Sequence, residues 1–249
     1  MSIQEGMKTV SDTGDFLLVD KPVGWTSFDV VAKVRNTYTG VGLRRKVGHC
    51  GTLDPRASGL LILATGKKTR EISTLEVLDK VYEGIIKLGA VTESHDTETS
   101  EYGHCRIDHL DPVDIRAAAS GLEGRQMQQP PMHSAVWHKG RRLYELARKG
   151  QEVKERKARE IEVRDFEITS VELPYVYFRV TVSKGAYIRV LAHDLGARLD
   201  VGAYLHTLRR TFIGGFSVSD AFTVAGTIDA IVRDAKACGK PESRHFPSP

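Results

Sequence analysis

Residues 48–64 read GHCGTLDPRASGLLILA, and no other stretch of the chain says as much about its structure. The glycines permit a tight turn and a close approach of other backbone, and Asp54 stands directly before Pro55, which restricts its conformation. The apolar run at 60–64 is typical of a buried strand. The stretch therefore predicts a loop that enters a rigid strand, a mount on which catalytic side chains often lie. Taken alone, an Asp-Pro pair in such a loop is also typical of a plain turn.

The chain before this loop predicts a strand, a turn and a helix. Residues 16–19 are apolar, and residues 20–24 read DKPVG, in which proline and glycine favour a turn. Thr26 or Ser27 can cap a helix that continues to about Tyr38.

The chain after the loop mixes both kinds of periodicity. Residues 80–88 and 175–182 alternate between polar and apolar as strands do, while residues 115–122 and 186–199 have helical spacing. A shorter helical pattern covers residues 227–237. This mixture predicts an α+β fold, because a regular βαβ repeat is not seen.

Composition excludes several classes of protein. Of 249 residues, 41% are hydrophobic and 27% are charged, which allows an ordinary globular core. Lys and Arg outnumber Asp and Glu by 36 to 32, so an anionic partner is possible. The three cysteines are far apart and form no C-x-x-C pair, which argues against a disulfide framework and a zinc site. With no signal peptide and no apolar run of membrane-spanning length, we expect a soluble cytoplasmic protein.

Residues 128–160 form a basic stretch that we interpret as an insertion. Nine cations lie between residues 139 and 159, with Trp137 and Tyr144 nearby: Lys139, Arg141, Arg142, Arg148, Lys149, Lys154, Arg156, Lys157 and Arg159. Interleaved glutamates are compatible with a plain solvated surface. Clustered cations with aromatic neighbours are also typical of a surface that follows RNA phosphates, and this second interpretation is the one we favour.

Several motifs together resemble one enzyme family. Residues 48–61 match the pattern G-H-x-G-x-L-D-P-x-A-x-G-x-L of TruB-type tRNA pseudouridine synthases. Further stretches resemble other motifs of that family in the same order, namely 16–27, 80–82, 129–148, 183–189 and 208–210. The resemblance covers residues 16 to about 222. At two positions that the pattern leaves open, the chain differs from the residues usual in the family: Cys50 stands where a hydroxyl or other small residue is usual, and Arg56 where an apolar residue is common. Residues 92–97 match only loosely, and Asp96 is the one residue among them that we consider as a candidate functional residue.

The resemblance implies a fold and a division of the chain. The expected fold is the pseudouridine synthase fold, with a mixed, largely antiparallel central sheet, flanking helices and a basic RNA-gripping insertion. We predict a flexible N-terminus over residues 1–14, a catalytic domain over 15–224, and a short C-terminal helix and tail over 225–249. That last segment is too short for the PUA domain in which many members of the family end.

The resemblance also implies catalytic residues. Asp54 would be the carboxylate that either attacks the sugar or takes a proton, and the sequence leaves these alternatives open. Arg189, which otherwise reads as a helix-surface arginine, would keep that carboxylate ionised. Tyr82 would stack on a flipped-out base, although an alternating strand also favours a core tyrosine. Tyr187 would line the pocket or orient Arg189.

Other residues are expected to bind the RNA: His49, Lys21, Pro22, Tyr187, Leu208, Arg141, Arg142 and Arg148. His49 has no second ligand at metal-binding spacing, so we predict no metal site. The reaction needs no cofactor, because one glycosidic bond is exchanged for another without net oxidation.

The expected substrate is uridine 55 in the T-arm stem-loop of tRNA, modified by a monomer without an obligate protein partner. Two other functions compete with this one. A non-catalytic RNA-binding module would use only the basic surface, and a glycosidase or nucleoside hydrolase would usually need a second carboxylate at the bond.

Overall fold

The computed structural model describes residues 9–134, 136–153 and 155–239. Its strands, in chain order, are β1 (Phe16–Lys21), β2 (Val47–His49), β3 (Ala57–Thr65), β4 (Lys80–Leu88), β5 (Gly124–Gln128), β6 (Trp137–His138), β7 (Arg141–Arg142), β8 (Arg159–Glu172), β9 (Tyr175–Val182), β10 (Ala203–Ile213), β11 (Phe216–Ser217) and β12 (Phe222–Thr223). Its α-helices are α1 (Ser27–Gly40), α2 (Ile72–Glu76), α3 (Pro112–Ser120), α4 (Leu143–Ala147), α5 (Ile188–Arg198) and α6 (Val224–Ala237). Short 3-10 helices cover Gly66–Glu71 and Val218–Asp220.

The chain divides into two compact units. The first unit contains residues up to Leu78 and those from Arg209 onward, and the second contains Asp79–Leu208. The boundary at Arg209 falls within β10. The single catalytic domain expected over residues 15–224 stays a prediction.

The first unit is built on β1 and β3, which pair antiparallel from Phe16↔Ala64 to Lys21↔Gly59. On one face of this pair, Leu17 and Leu61 belong to a core that also contains buried residues of α1 and α6. On the other face, Leu60 and Ile62 belong to a second core. Burial on both faces explains the continuous apolar run at 60–64.

The start of the described chain is fixed to this unit. Thr9 is fully buried, its hydroxyl and backbone N–H donate to the Asp234 carboxylate on α6, and its carbonyl accepts from the Tyr38 hydroxyl at 2.6 Å. Residues 1–8 of the expected flexible N-terminus, and residues 240–249 of the expected tail, lie outside the described residues.

The second unit contains an antiparallel set of strands in the order β4, β9, β8, β5. Alternate residues of these strands, such as Ile86, Phe178 and Val180, are buried, and α3 contacts β8 and α5. The basic insertion connects β5 to β8, and Gln128 at its start and Arg159 near its end are cross-strand partners. It therefore leaves and re-enters the sheet at one place.

The predicted fold class is confirmed. The sheet is largely antiparallel, with a parallel pair formed by β1 and β12, and the predicted strands at 80–88 and 175–182 have those bounds in the structure. The C-terminal helix begins at Val224, three residues before its predicted start. Among the described residues, no helix has the length and apolarity needed to span a bilayer.

Candidate active site

The loop that carries Asp54 is held by a buried arginine of the first unit. Arg210 is 1% exposed, and its guanidinium donates to the carbonyls of Gly51 at 3.1 Å, Thr52 at 3.4 Å and Leu60 at 2.8 Å. A guanidinium has five donors in a rigid plane, so it can hold several carbonyls at once. The backbone on both sides of Asp54 is therefore held by a side chain that lies far away in the sequence.

Two further contacts hold the residues beside Asp54. The Ser27 hydroxyl accepts from the backbone N–H of Leu53 at 2.8 Å and donates to the Leu53 carbonyl at 3.1 Å. The backbone N–H of Gly24 donates to the Pro55 carbonyl at 2.8 Å. The residues on both sides of Asp54 are thus bonded to the segment around the start of α1, and the half-buried Asp54 is presented from a rigid backbone.

Lys21, the last residue of β1, interacts electrostatically with Asp54. Its side chain is fully buried, and its ammonium donates to the carbonyls of Pro22 at 3.0 Å and Trp25 at 2.7 Å. Burial lowers the pKa of Lys21 to about 8, and the negative charge of Asp54 partly opposes that shift. Because attraction between two charges is mutual, the Lys21 ammonium favours an ionised Asp54.

His49 is half-buried at the end of β2, opposite Leu63 of β3. Burial lowers its pKa, and the Arg210 charge adds to that effect. The ring is therefore neutral at pH 7. Among the described residues, its buried Nδ1 has no hydrogen-bond partner.

A cavity of about 520 Å³ lies in the first unit, where Lys21, Pro22 and Trp25 line it together with residues at the start of α6. At its edge the Arg209 guanidinium binds the Asp20 carboxylate through two hydrogen bonds of 3.0 and 2.7 Å. Pro22 is exposed. Leu208, which precedes Arg209, is half-buried and belongs to the second unit.

Arg189 lies in the second unit and is buried, not on a helix surface. Its side chain is 4% exposed and its Nε lies 3.6 Å from the Asp96 carboxylate, which is 6% exposed. The guanidinium also donates to the carbonyls of Ser94 at 3.2 Å and His133 at 3.0 Å. Arg189 therefore connects the loop around Asp96 with the start of the insertion.

The residue before α5 is fixed by a buried glutamine. The side-chain oxygen of Gln128 accepts from the backbone N–H of Tyr187 at 2.7 Å, and its amide donates to the Tyr187 carbonyl at 3.1 Å. The guanidinium carbons of Arg159 and Arg189 lie 5.4 and 6.0 Å from the centroid of the Tyr187 ring. Tyr187 and Arg189 thus lie close together, and the role of Tyr187 in lining the pocket or orienting Arg189 stays a prediction.

Tyr82 lies on β4 opposite Val180 of β9, and 8% of its surface is exposed. This burial is compatible with a core tyrosine and with a ring at the base of a pocket. Its stacking role stays a prediction.

The three arginines predicted in the insertion differ in their surroundings. Arg141 and Arg148 are exposed and Arg142 is half-buried. The Arg142 guanidinium carbon lies 4.1 Å from the centroid of the Trp137 ring. Arg148 lies 5.5 Å from the centroid of the Tyr144 ring and 3.4 Å from the Glu98 carboxylate.

Sequence reasoning missed Arg210, Ser27 and Gln128 as positioning residues. For Arg210 a signal exists, because two successive arginines in a strand point to opposite faces, so that one of them can point inward. From the sequence Ser27 is only a candidate helix cap, whereas Thr26 caps α1. Within the described residues, no three His, Cys, Asp or Glu side chains are grouped closely enough to hold a metal ion.

The family model and the relatives that match this chain are all described as pseudouridine synthases. The family described as "TruB family pseudouridylate synthase (N terminal domain)" matches residues 39–188. A Chlorobaculum tepidum protein named tRNA pseudouridine synthase B is 62% identical, over 93% of this chain and 97% of that protein. A protein of the same name from Chloroherpeton thalassium is 56% identical, over 94% of this chain and 98% of that protein.

Solved structures resemble the fold as well. A chain in a crystal structure of a Cbf5–Nop10–Gar1 complex matches with a TM-score of 0.67 and 30% identity, over 92% of this chain. A chain in an H/ACA RNP bound to a substrate RNA containing 2′-deoxyuridine matches with a TM-score of 0.64 and 28% identity. This chain spans 56% of the length of each of those chains.

Proposed function

Because the chain belongs to the TruB family of pseudouridylate synthases, we propose that it converts a uridine of tRNA into pseudouridine with Asp54 as the catalytic carboxylate. The substrate follows from the relatives named tRNA pseudouridine synthase B. The T-loop uridine at position 55 is the site that the resemblance implies. We further propose that the chain acts in the cytoplasm as a monomer, without an obligate protein partner.

The fixed loop around Asp54 is the observation that carries the proposal. In the reaction the C1′–N1 bond breaks and a C1′–C5 bond forms, while N1 gains a proton and C5 loses one. A carboxylate that attacks C1′, or takes a proton from the sugar, must be held at one position through both halves of this exchange. The contacts of Arg210 and Ser27 with the loop supply such a mount.

The charges around the site support an ionised Asp54. Lys21, which belongs to the same unit, interacts with it electrostatically. The resemblance assigns a second cation, Arg189, to the same carboxylate. Because Arg189 is bound to Asp96 and two carbonyls within its own unit, its position is fixed before any RNA binds. We propose that it acts on the substrate site from that position.

The remaining residues would hold the RNA. Tyr82 and Tyr187 would contact the flipped-out base, and Leu208 would lie against it. His49, which is neutral at pH 7, would contact the RNA beside the flipped nucleotide. Pro22 would shape the wall of the site. The arginines of the insertion would bind phosphates of the T-arm.

Incubation with an unmodified tRNA transcript tests this function. Carbodiimide mapping should find one new pseudouridine at position 55, and the mass of the RNA should not change. A transcript with cytidine at that position should remain unmodified. Release of free uracil would indicate a hydrolase instead, and tight RNA binding without any pseudouridine would indicate a binding module.

A further inference from the structure

A tight hairpin near the middle of the insertion carries an exposed tryptophan. Strands β6 and β7 pair as Trp137↔Arg142 and His138↔Arg141. They are joined by Lys139 and Gly140, whose φ angles are 46° and 83°. Two successive positive φ values are typical of the type I′ turn, which matches the twist of a hairpin and makes it short and stiff.

Cross-strand partners lie on the same face of a hairpin, and neighbours in sequence lie on opposite faces. Trp137 and Arg142 therefore share one face, and His138 and Arg141 share the other. Trp137 is 61% exposed, while the Arg142 guanidinium carbon lies 4.1 Å from its ring centroid. At that distance the guanidinium stacks on the indole, and most of the tryptophan surface remains in contact with solvent.

The hairpin is firmly mounted. The backbone N–H of Leu143 donates to the Val136 carbonyl at 2.9 Å, and that of Tyr144 donates to the Ser134 carbonyl at 3.0 Å. Leu143 is 1% exposed. An exposed tryptophan on a rigid base loses little conformational entropy when a ligand stacks on it.

The surroundings of Trp137 indicate the chemistry of that ligand. Lys139 at the turn and Arg141 on the opposite face are exposed cations, so the hairpin attracts anions. A flat aromatic surface among cations matches a nucleobase and its phosphates, because bases stack on aromatic rings whatever their identity. An apolar segment of another protein, as the alternative ligand, would not interact favourably with these cations.

We propose that Trp137 and Arg142 form a stacking platform for an unpaired base of the RNA, separate from the base that is modified. The proposal rests on the proposed function, since it takes tRNA as the ligand. Arg142 orients the indole, and Trp137 supplies the stacking surface. The insertion thus holds a base as well as phosphates.

Fluorescence tests the platform directly. The chain has two tryptophans, so a Trp25→Phe variant leaves Trp137 as the reporter. Titration with an unmodified tRNA transcript should quench its emission, because a stacked base quenches indole fluorescence. If Trp25→Phe does not fold, the difference between the wild type and Trp137→Phe serves instead. The proposal would be overturned if RNA left the emission of Trp137 unchanged. It would also be overturned if that emission shifted with protein concentration alone, because Trp137 would then report self-association.

Matched variants separate stacking from charge. Trp137→Leu should weaken tRNA binding at least about fivefold, with an unchanged slope of log K against log salt, because no phosphate contact is lost. Trp137→Phe should retain most of the affinity. Arg141→Gln, on the other face of the hairpin, should make log K fall less steeply with log salt and should keep the quenching of Trp137 emission.

These readouts also separate the platform from the proposed function. Unchanged affinity in Trp137→Leu, with normal pseudouridine formation by the wild type, would refute the platform and leave the proposed function intact. Quenching of Trp137 emission in Trp25→Phe and weaker tRNA binding by Trp137→Leu, with no pseudouridine formed by the wild type, would support the platform and refute the proposed function.

Discussion

The Ser27 hydroxyl and the backbone of Leu53 form two hydrogen bonds with each other, of 2.8 and 3.1 Å. One hydroxyl thus satisfies both the N–H and the carbonyl of the residue that precedes Asp54. Ser27 is 2% exposed and Leu53 is 3% exposed, so water cannot readily replace either bond. The position of Asp54, the proposed catalytic carboxylate, therefore depends on Ser27, the first residue of α1.

Ser27→Ala should reduce kcat more than it raises KM, because the loop loses a restraint while the RNA-binding surface is unchanged. The two unsatisfied backbone groups of Leu53 should cost about 1–3 kcal/mol of stability. Steady-state kinetics and denaturant unfolding measure both effects. Ser73→Ala, at an exposed site on α2, is the control and should change neither. Equal kcat in wild type and Ser27→Ala would show that the loop needs no such restraint.

Asp54→Asn should abolish turnover and leave tRNA affinity within a few fold of the wild type. The substitution preserves the shape of the side chain and removes the charged oxygen that we propose attacks the sugar or takes a proton. Single-turnover assays and filter binding measure the two quantities. Substantial residual turnover would mean that another group carries the reaction.

Arg189→Lys should lower kcat about a hundredfold, since a single ammonium cannot reach the Asp96 carboxylate and the carbonyls of Ser94 and His133 together. The charge is kept, so the loss would come from geometry. Arg198→Lys changes an exposed arginine at the end of the same helix and should retain wild-type kinetics. If Arg189→Lys turned over normally, Arg189 would have no part in the site.

The pH dependence of stability should report the buried Lys21. Its pKa is about 8 in the folded chain, below its ordinary value of 10.5, so the unfolded state binds more protons between these two values. The free energy of unfolding contributed by Lys21 should therefore rise with pH from about 8 to 10.5. Lys21→Met should lack this rise, measured as the difference in unfolding free energy from wild type at each pH. Lys33→Met, at an exposed site on α1, should keep it. Parallel curves for wild type and Lys21→Met would contradict the low pKa.

The insertion should account for much of the salt dependence of RNA binding. Replacing Arg141, Arg142 and Arg148 by glutamine should reduce the magnitude of the slope of log K against log salt by about two to three units. Each lost phosphate contact removes about one unit. The fold should be kept, since these side chains are exposed or half-buried.

A triple variant with the same change of charge is the control for this experiment. Arg106, Arg116 and Arg125 are exposed and lie in the same unit outside the insertion, and their replacement by glutamine should leave the slope nearly unchanged. A similar fall in both variants would mean that total charge, and not the insertion, binds the RNA.

Several elements of this fold, and the loop proposed to carry the catalytic aspartate, could be predicted from the sequence alone, whereas β5, β8 and β10 were not predicted. Alternation at 80–88 and 175–182 predicted β4 and β9 to the residue, because strand periodicity is a local property of a half-buried sheet. The order of motifs around Asp54 predicted the family. Neither inference required knowledge of which side chains are in contact in the folded chain.

Tertiary structure alone decided how the reactive groups are held. Arg210 and Gly51 are 159 residues apart in the chain, and Arg189 is 95 residues from Ser94. Periodicity and propensity describe neighbours along the chain, so they cannot show which buried arginine binds which carbonyl. A buried polar group must find a partner, but only the packing of distant segments determines which one. For that reason Asp54 and Arg189 could be named from the sequence, while Arg210, Ser27 and Asp96 acquired their roles only when the chain was folded.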